Sequence, residues 1–301
     1  MKAKRTTGIY QSKMKRKNNK AGYLFLSPML LLFCGLFGYS MVFLIKNSLY
    51  RVTISFKDIE YLGMKNYLTV VKDFNFWGAL FHTFLLAGAN ILCGLTLGFL
   101  IAVFLNFKIF GKRFFHALFF IPSMLPMALM AAVFNSILQY KEGILNQILR
   151  KLHLDFLCQR WLADPGLAMI SVMSVSIFLI GIPIMYYTAD MTVISKSVLE
   201  AASIDGAKFR HILTMILYPM LKNTHKTIIL SMLLGSFREM DRVFMMTDGG
   251  PGGATEIIGT WIYRFTRAPG SNLGKVCAAS VIVILISFSI GFVQLRIRNK
   301  S

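Results

Sequence analysis

Apolar and polar positions in this chain fall into long blocks rather than short alternations, and the blocks set the elements. Apolar runs occupy about 23–45, 77–107, 114–138, 166–190, 221–246 and 276–296. A helix needs about 20 mainly apolar residues to cross a bilayer, whereas the strands of a membrane barrel are short and alternate strictly. The pattern predicts an all-α membrane protein with six transmembrane helices, each satisfying its own backbone. The fifth run is the exception, because only 227–237 is free of charge. A crossing there must borrow either Lys222 and Lys226 before it, or Arg238-Glu239-Met240-Asp241-Arg242 and on to Met246 after it. The second choice is adopted because it puts the charges toward the outer end of the helix. Ionisable groups at such depth are costly and usually face a bundle interior, a water-filled path or one another.

The connecting segments carry further signals. Residues 46–76 form a mixed polar loop containing Gly63-Met64-Lys65-Asn66-Tyr67, expected to pack over the outer ends of the helices. Pro122 and Pro126 should kink or break the third helix and free backbone carbonyls. Residues 144–154 are amphipathic, which predicts a short helix on the outer surface. Gly181 and Pro183 should distort the fourth helix in mid-membrane, and such a break can line a cavity. The outer loop Asp248-Gly249-Gly250-Pro251-Gly252-Gly253 lacks the Lys-Ser/Thr ending and the preceding strand of a phosphate cradle.

The least membrane-like stretch is 198–221, where Ala201, Ala202, Ser203, Gly206 and Ala207 crowd together beside Glu200 and Asp205. Asp205-Gly206 signals a turn with positive φ, so the stretch reads as helix, sharp turn and second helix. Small side chains four apart, Ala202 with Gly206 and Ser203 with Ala207, would let a partner's backbone approach one face. On residue physics alone a plain connector between two spans fits as well.

Composition agrees with the membrane assignment: the 301 residues are 55% hydrophobic and 15% charged, with mean hydropathy +0.60. The net charge of +20 does not point to nucleic acid. Its dense part, Lys2, Lys4, Arg5, Lys13, Lys15, Arg16, Lys17 and Lys20, precedes the first apolar run, as expected for a cytoplasmic tail facing anionic lipid. Residues 1–22 are thus read as a basic cytoplasmic tail and 23–301 as one transmembrane domain, with both ends cytoplasmic. The first run is too long for a signal-peptide core and no small-x-small site follows it, so it is expected to remain as a span. Beyond the tail, Lys and Arg divide evenly between the two sides. Cys34, Cys93, Cys158 and Cys277 are widely spaced and read as packing residues.

The candidate chemistry is that of passage, not reaction. His82, His116, His153, His211 and His225 are isolated, with no metal-ligand spacing and no nucleophile-base arrangement. The chain is therefore expected not to be an enzyme, with no catalytic residues and no metal. It also carries no G-x-x-x-x-G-K-S/T motif. Its solute then moves passively, by ion coupling, or by energy from a separate subunit. An ion-coupled secondary transporter would use Arg238, Glu239 and Asp241. The same cluster can also neutralise itself, Arg238 with Asp241 or Arg238 and Arg242 around Glu239. For a solute path, aromatic faces and hydrogen-bonding groups near the fourth and fifth helices single out Phe178, Tyr186, Tyr187, Ser236 and Glu239. Aromatic residues in spans serve equally in packing and at the lipid interface.

Glu200-Ala201-Ala202, Asp205-Gly206-Ala207, and then Ile216 and Pro219 resemble the signature loop of the membrane-spanning subunits of ABC importers. The sequence departs from that pattern at Tyr218, where the family usually has Leu, and at Asn223, where a second proline is common. Further segments resemble the carbohydrate-uptake, maltose-type branch. They are 24–44 with Pro28, Gly63-Met64-Lys65-Asn66-Tyr67, Trp161-Leu162-Ala163-Asp164-Pro165, and 247–263 with Gly249-Gly250-Pro251 and Thr255-Glu256. The resemblance implies a type I ABC importer permease fold in a bacterial inner membrane. Its coupling loop, 195–219, would dock a short helix on a separate ATPase. Glu200, Ala201, Ala202, Asp205, Gly206 and Ala207 would carry that contact. The implied partners are a second homologous permease in a heterodimer, two ATPase subunits that bind ATP and Mg, an extracellular or lipoprotein sugar-binding protein, and membrane lipids. The implied cargo is a sugar or oligosaccharide, moved by alternating access.

Overall fold

The computed structural model describes residues 2–53, 59–106 and 110–298. Helices dominate, and among the described residues the strands are one short antiparallel pair, Tyr50–Arg51 (β1) with Glu60–Tyr61 (β2). A long helix α1 (Lys2–Ser48) leads into this hairpin and α2 (Lys65–Val71). Next, α3 (Phe74–Cys93) continues through a π-helical turn, Gly94–Gly98, into α4 (Phe99–Asn106). The helix starts three residues before the expected 77–107 run because the Asp73 side chain accepts from the Asn75 N–H and caps it. Phe107 and Lys108, at the other end of that run, lie outside the described residues.

The third run is two helices, α5 (Lys112–Met124) and α6 (Met127–Leu138), bent by 99°. The break falls at the second proline. Leu125 is extended at φ −72°, ψ 144°, as a residue before proline is forced to be, and Pro122 stays inside α5. After α7 (Ile144–Lys151), the fourth run opens on Asp164, which caps Gly166 N–H at 2.7 Å, with Pro165 in the first turn. It comprises α8 (Pro165–Ser174), a 3-10 turn Val175–Ile177, and α9 (Gly181–Met191). The mid-membrane distortion expected at Gly181 and Pro183 appears just before them.

Among the described residues four helices are long and apolar enough to cross a membrane, Gly22–Ser48, Phe74–Asn106, Pro165–Met191 and Leu273–Gln294, and the bent α5–α6 pair makes a fifth if it counts as one span. The continuous helix expected over 221–246 is not formed. Instead α13 (Lys222–Arg238) stops, Glu239 is extended at φ −77°, ψ 134°, and α14 (Asp241–Met246) begins anew. Across the break the Glu239 carboxylate folds back on Arg242. Two elements lie between α9 and α13: α10 (Lys196–Ile204), and the segment 209–220, which holds α11 (Phe209–His211), a π-helical turn and α12 (Tyr218–Met220). Finally α15 (Ile258–Arg267) and α16 (Leu273–Arg298) complete the chain.

Three apolar clusters hold these pieces together. Leu86, Phe134, Val172, Val243 and Ile257 join α3, α6, α8 and α14. Phe99, Val103, Ile184, Leu217 and Ile228 join α4, α9, the turn before α12, and α13. Phe76, Phe237, Trp261, Ala278 and Val283 join α3, α13, α15 and α16. Lipid is as apolar as these side chains, so close fit matters more here than removal from water. Gly94 and Gly98 supply it: a Cβ at 98 would stand 2.8 Å from Pro183 Cβ, and one at 94 would stand 3.1 Å from Pro183 Cγ. The small-xxx-small pair thus seats α9 against the π-helical turn. By contrast, the apolar stretch of α1 over 22–48 is mostly exposed and touches the rest of the chain chiefly through α16 and its end at Ser48.

Polar clamps close the end that the sequence places outside. Asn66 is buried and donates through Nδ2 to the Ser48 and Tyr50 carbonyls at 2.8 and 2.9 Å. Its Oδ1 accepts from Asn272 at 2.8 Å, and Tyr67 pairs with Ser48 Oγ at 2.7 Å. This accounts for Gly63-Met64-Lys65-Asn66-Tyr67, with Gly63 at φ +56° turning the chain into α2. Asn146 does the same for α7, donating to the Tyr140 and Gln159 carbonyls and accepting from Trp161 Nε1.

Candidate functional site

The stretch around Gly206 is a helix closed by a left-handed residue. Gly206 has φ +77°, its N–H donates to the Ser203 carbonyl, and the Ala207 N–H donates to the Ala202 carbonyl at 2.9 Å. Those two bonds make a Schellman motif, in which any residue but Gly is strained at the left-handed position. Glu200, Ala201, Asp205 and Gly206 are exposed, Ala202 and Ala207 half-buried. Apolar Ile204 stands 86% exposed beside them and Val193 83%. Small residues around a projecting apolar side chain form a surface that suits a partner's groove better than water.

Both ends of this projecting segment are fastened to the bundle. Tyr187 on α9 bonds His225 Nδ1 on α13 at 2.7 Å, and His225 Nε2 lies 2.9 Å from the Tyr218 carbonyl. Thr224 donates to Asp190 at 2.5 Å. Tyr187, expected on a solute path, is instead 0% exposed and edge-on to Phe99. Tyr186 packs partly buried in the same cluster. Phe178 is half exposed and meets Phe134 edge-on at 5.3 Å.

The second site is a cleft of about 670 Å³ opening on the chain's surface, lined by Asn90, Ser231, Ser236, Arg238, Glu239 and Asp241 among others. Of the five residues expected on the path, Ser236 and Glu239 line it. The charged cluster does neutralise itself, through a different pair from Arg238–Asp241. Arg242, 1% exposed, grips Glu239 with Nε at 2.5 Å and Nη2 at 2.8 Å. Its Nη1 donates to Ser176 Oγ at 3.0 Å and its Nη2 to Asn90 Oδ1 at 3.2 Å. Ser176 donates to Asn90 Oδ1 at 2.6 Å, and Asn90 Nδ2 donates to Ser236 Oγ at 2.9 Å. Arg238 and Asp241 are exposed in the cleft. Asn90 and Ser176 escaped the sequence reading, and their one signal was polarity inside apolar runs.

Beyond the cleft, the glycine-rich loop closes on itself. Thr255 Oγ1 donates to the Gly250 carbonyl and pairs with Thr247 Oγ1, both at 2.7 Å. Arg264 Nη1 lies 3.2 Å from Glu256 Oε1, an ion pair too far out of line to count as a hydrogen bond. Burial pushes the Glu256 carboxyl above its ordinary pKa, with Arg264 pulling the other way.

A family model described as "Binding-protein-dependent transport system inner membrane component" matches residues 94–300. Among curated relatives, "Probable ABC transporter permease protein YurN" of Bacillus subtilis is 32% identical over 294 residues, covering 94% of this chain and 97% of its own. "Trehalose/maltose transport system permease protein MalF" of Thermococcus litoralis is 26% identical, covering 94% and 96%. Among solved structures, a chain of a bacterial ABC transporter involved in the import of the acidic polysaccharide alginate superposes with TM-score 0.80. It is 19% identical, covering 96% of this chain and 99% of that one, and so is similar in fold.

Proposed function

This chain belongs to the family of binding-protein-dependent transport system inner membrane components, and on that premise we propose how it carries its solute. It is the membrane-spanning permease subunit of an ABC importer, in a family of permeases rather than of enzymes. The cargo is a sugar or oligosaccharide, the class named for its trehalose/maltose relative. Six crossings serve it, the broken α13–α14 pair counting as one, with both termini cytoplasmic. The α10 turn is the coupling helix that docks on one of two separate ATPase subunits, which bind ATP and Mg. A second permease, in a heterodimer, covers the open side of the cleft, and an extracellular or lipoprotein sugar-binding protein supplies the solute. In the cleft, Ser236 and Glu239 offer hydrogen bonds to sugar hydroxyls. The ion-coupled alternative finds no support among the relatives, and Glu239 already has Arg242 for its counterion.

The observation that carries this reading is the exposed turn itself: a Schellman-capped helix of small residues with an apolar tip, fastened at both ends to spans. Glu200 would make a charge-assisted hydrogen bond to a basic group of the ATPase. Ala201, Ala202, Gly206 and Ala207 would allow close approach, and Asp205 would shape the turn. A charged hydrogen bond is worth roughly 1.5–3 kcal/mol, about tenfold or more in docking. Glu200→Lys and Gly206→Val in the assembled complex are therefore expected to lower stimulated ATP hydrolysis and uptake together by that factor. Full activity in both variants would refute the docking assignment.

A further inference from the structure

Two helix interruptions and a third helix meet at a single buried polar cluster. Arg242 opens α14 just past the Glu239 break, Ser176 sits in the 3-10 turn that interrupts the fourth crossing, and Asn90 lies on α3 one residue-turn before the π-helical Gly94–Gly98. Arg242, Ser176 and Asn90 are all buried, at 1%, 2% and 9% exposed. The guanidinium has five N–H donors, and four of them are engaged: two by Glu239, one by Ser176 and one by Asn90. α15 also presses on the same break, since a Cβ at Gly259 would stand 2.5 Å from the Glu239 carbonyl oxygen. The broken backbone is therefore held between a fork of charge-assisted bonds and a neighbouring helix.

We propose that Arg242, braced by Ser176 and Asn90, is a positioning residue for transport: it locks α3, the 3-10 turn after α8 and the α13–α14 break into one unit that moves together when the importer changes state. The inference rests on the permease reading above. Uninterrupted helices would need no such joint, because each would be stiff through its own ladder. Broken helices can rotate about their breaks, and a guanidinium with fixed fork geometry ties those breaks to one another where a point-charge ammonium would not. Without the tie, a push at the α10 turn would be absorbed at the breaks before it reached the cleft. Spatial connection alone does not establish coupling, so the claim needs a measurement at both ends.

Gly235 provides a reporter. It is exposed in the cleft, and a Cβ there meets nothing within 4 Å. The complete complex carrying Gly235→Cys, with its four native cysteines replaced, is reconstituted and labelled with a small maleimide, without nucleotide and after trapping with ATP and vanadate. The ratio of the two labelling rates reads the change of the cleft, and trapped nucleotide reads the ATPase end. Ser176→Ala removes two bonds of the cluster at nearly constant volume and lies outside the cleft lining. It is expected to trap nucleotide like the parent while shrinking that ratio by about threefold or more. Arg242→Lys, which keeps the charge and loses the fork, is expected to shrink it further. An unchanged ratio in Ser176→Ala overturns the proposal, as does a fall in trapped nucleotide that parallels the fall in ratio, which marks a merely structural role. A parent complex that traps no nucleotide would instead contradict the permease reading.

Discussion

Arg242 shows how a cation is kept inside an apolar bundle. Moving a guanidinium out of water is expensive, and partial satisfaction does not offset that expense. Here a bidentate carboxylate, a hydroxyl and an amide oxygen meet it at once. Glu256 illustrates the opposite balance beside the glycine-rich loop, where burial outweighs the nearby Arg264 and raises the carboxyl's pKa. A raised acid means that the folded loop holds its proton more tightly than the unfolded one. Its contribution to stability is full below the ordinary carboxylate value and is lost as pH rises through the raised value. Hydrogen-exchange protection of amides 247–257 in the assembled complex should fall across that window and level off above it. Glu256→Gln should abolish the slope.

The helices were mostly legible, and their interruptions only in part. Asp164-Pro165 announces a capped start, and Pro126 forces Leu125 out of the helical region, so those boundaries follow from local chemistry. The break at Glu239 does not. Charges three and four apart would have paired on an intact helix just as readily, and the groups that favour unwinding are Ser176 and Asn90, the latter 152 residues from Arg242 in sequence. Likewise Tyr187 had an aromatic ring at a credible depth, and only the fold reveals His225 beside it. Close packing of α9 on the Gly94–Gly98 turn belongs to the same order of structure. Overpacking a tight contact costs about 1–3 kcal/mol. Gly98→Leu should therefore lower the thermal midpoint of the detergent-solubilised complex, while Gly235→Leu, which meets open space, should shift it far less.

Taken as a whole, the chain combines a polar cleft in an apolar bundle with an exposed turn between α9 and α13. The Glu200 to Ala207 stretch was readable as a turn from Asp205-Gly206. Its docking role came only from the family resemblance, because by residue physics alone small residues on a loop fit a connector as well as a docking surface. The most direct test is uptake of labelled mono-, di- and oligosaccharides into proteoliposomes. It compares this chain alone under an imposed proton or sodium gradient with the complete complex, its binding protein and ATP. The account predicts accumulation by the complete complex only, and only with ATP; gradient-driven accumulation by the chain alone would contradict it.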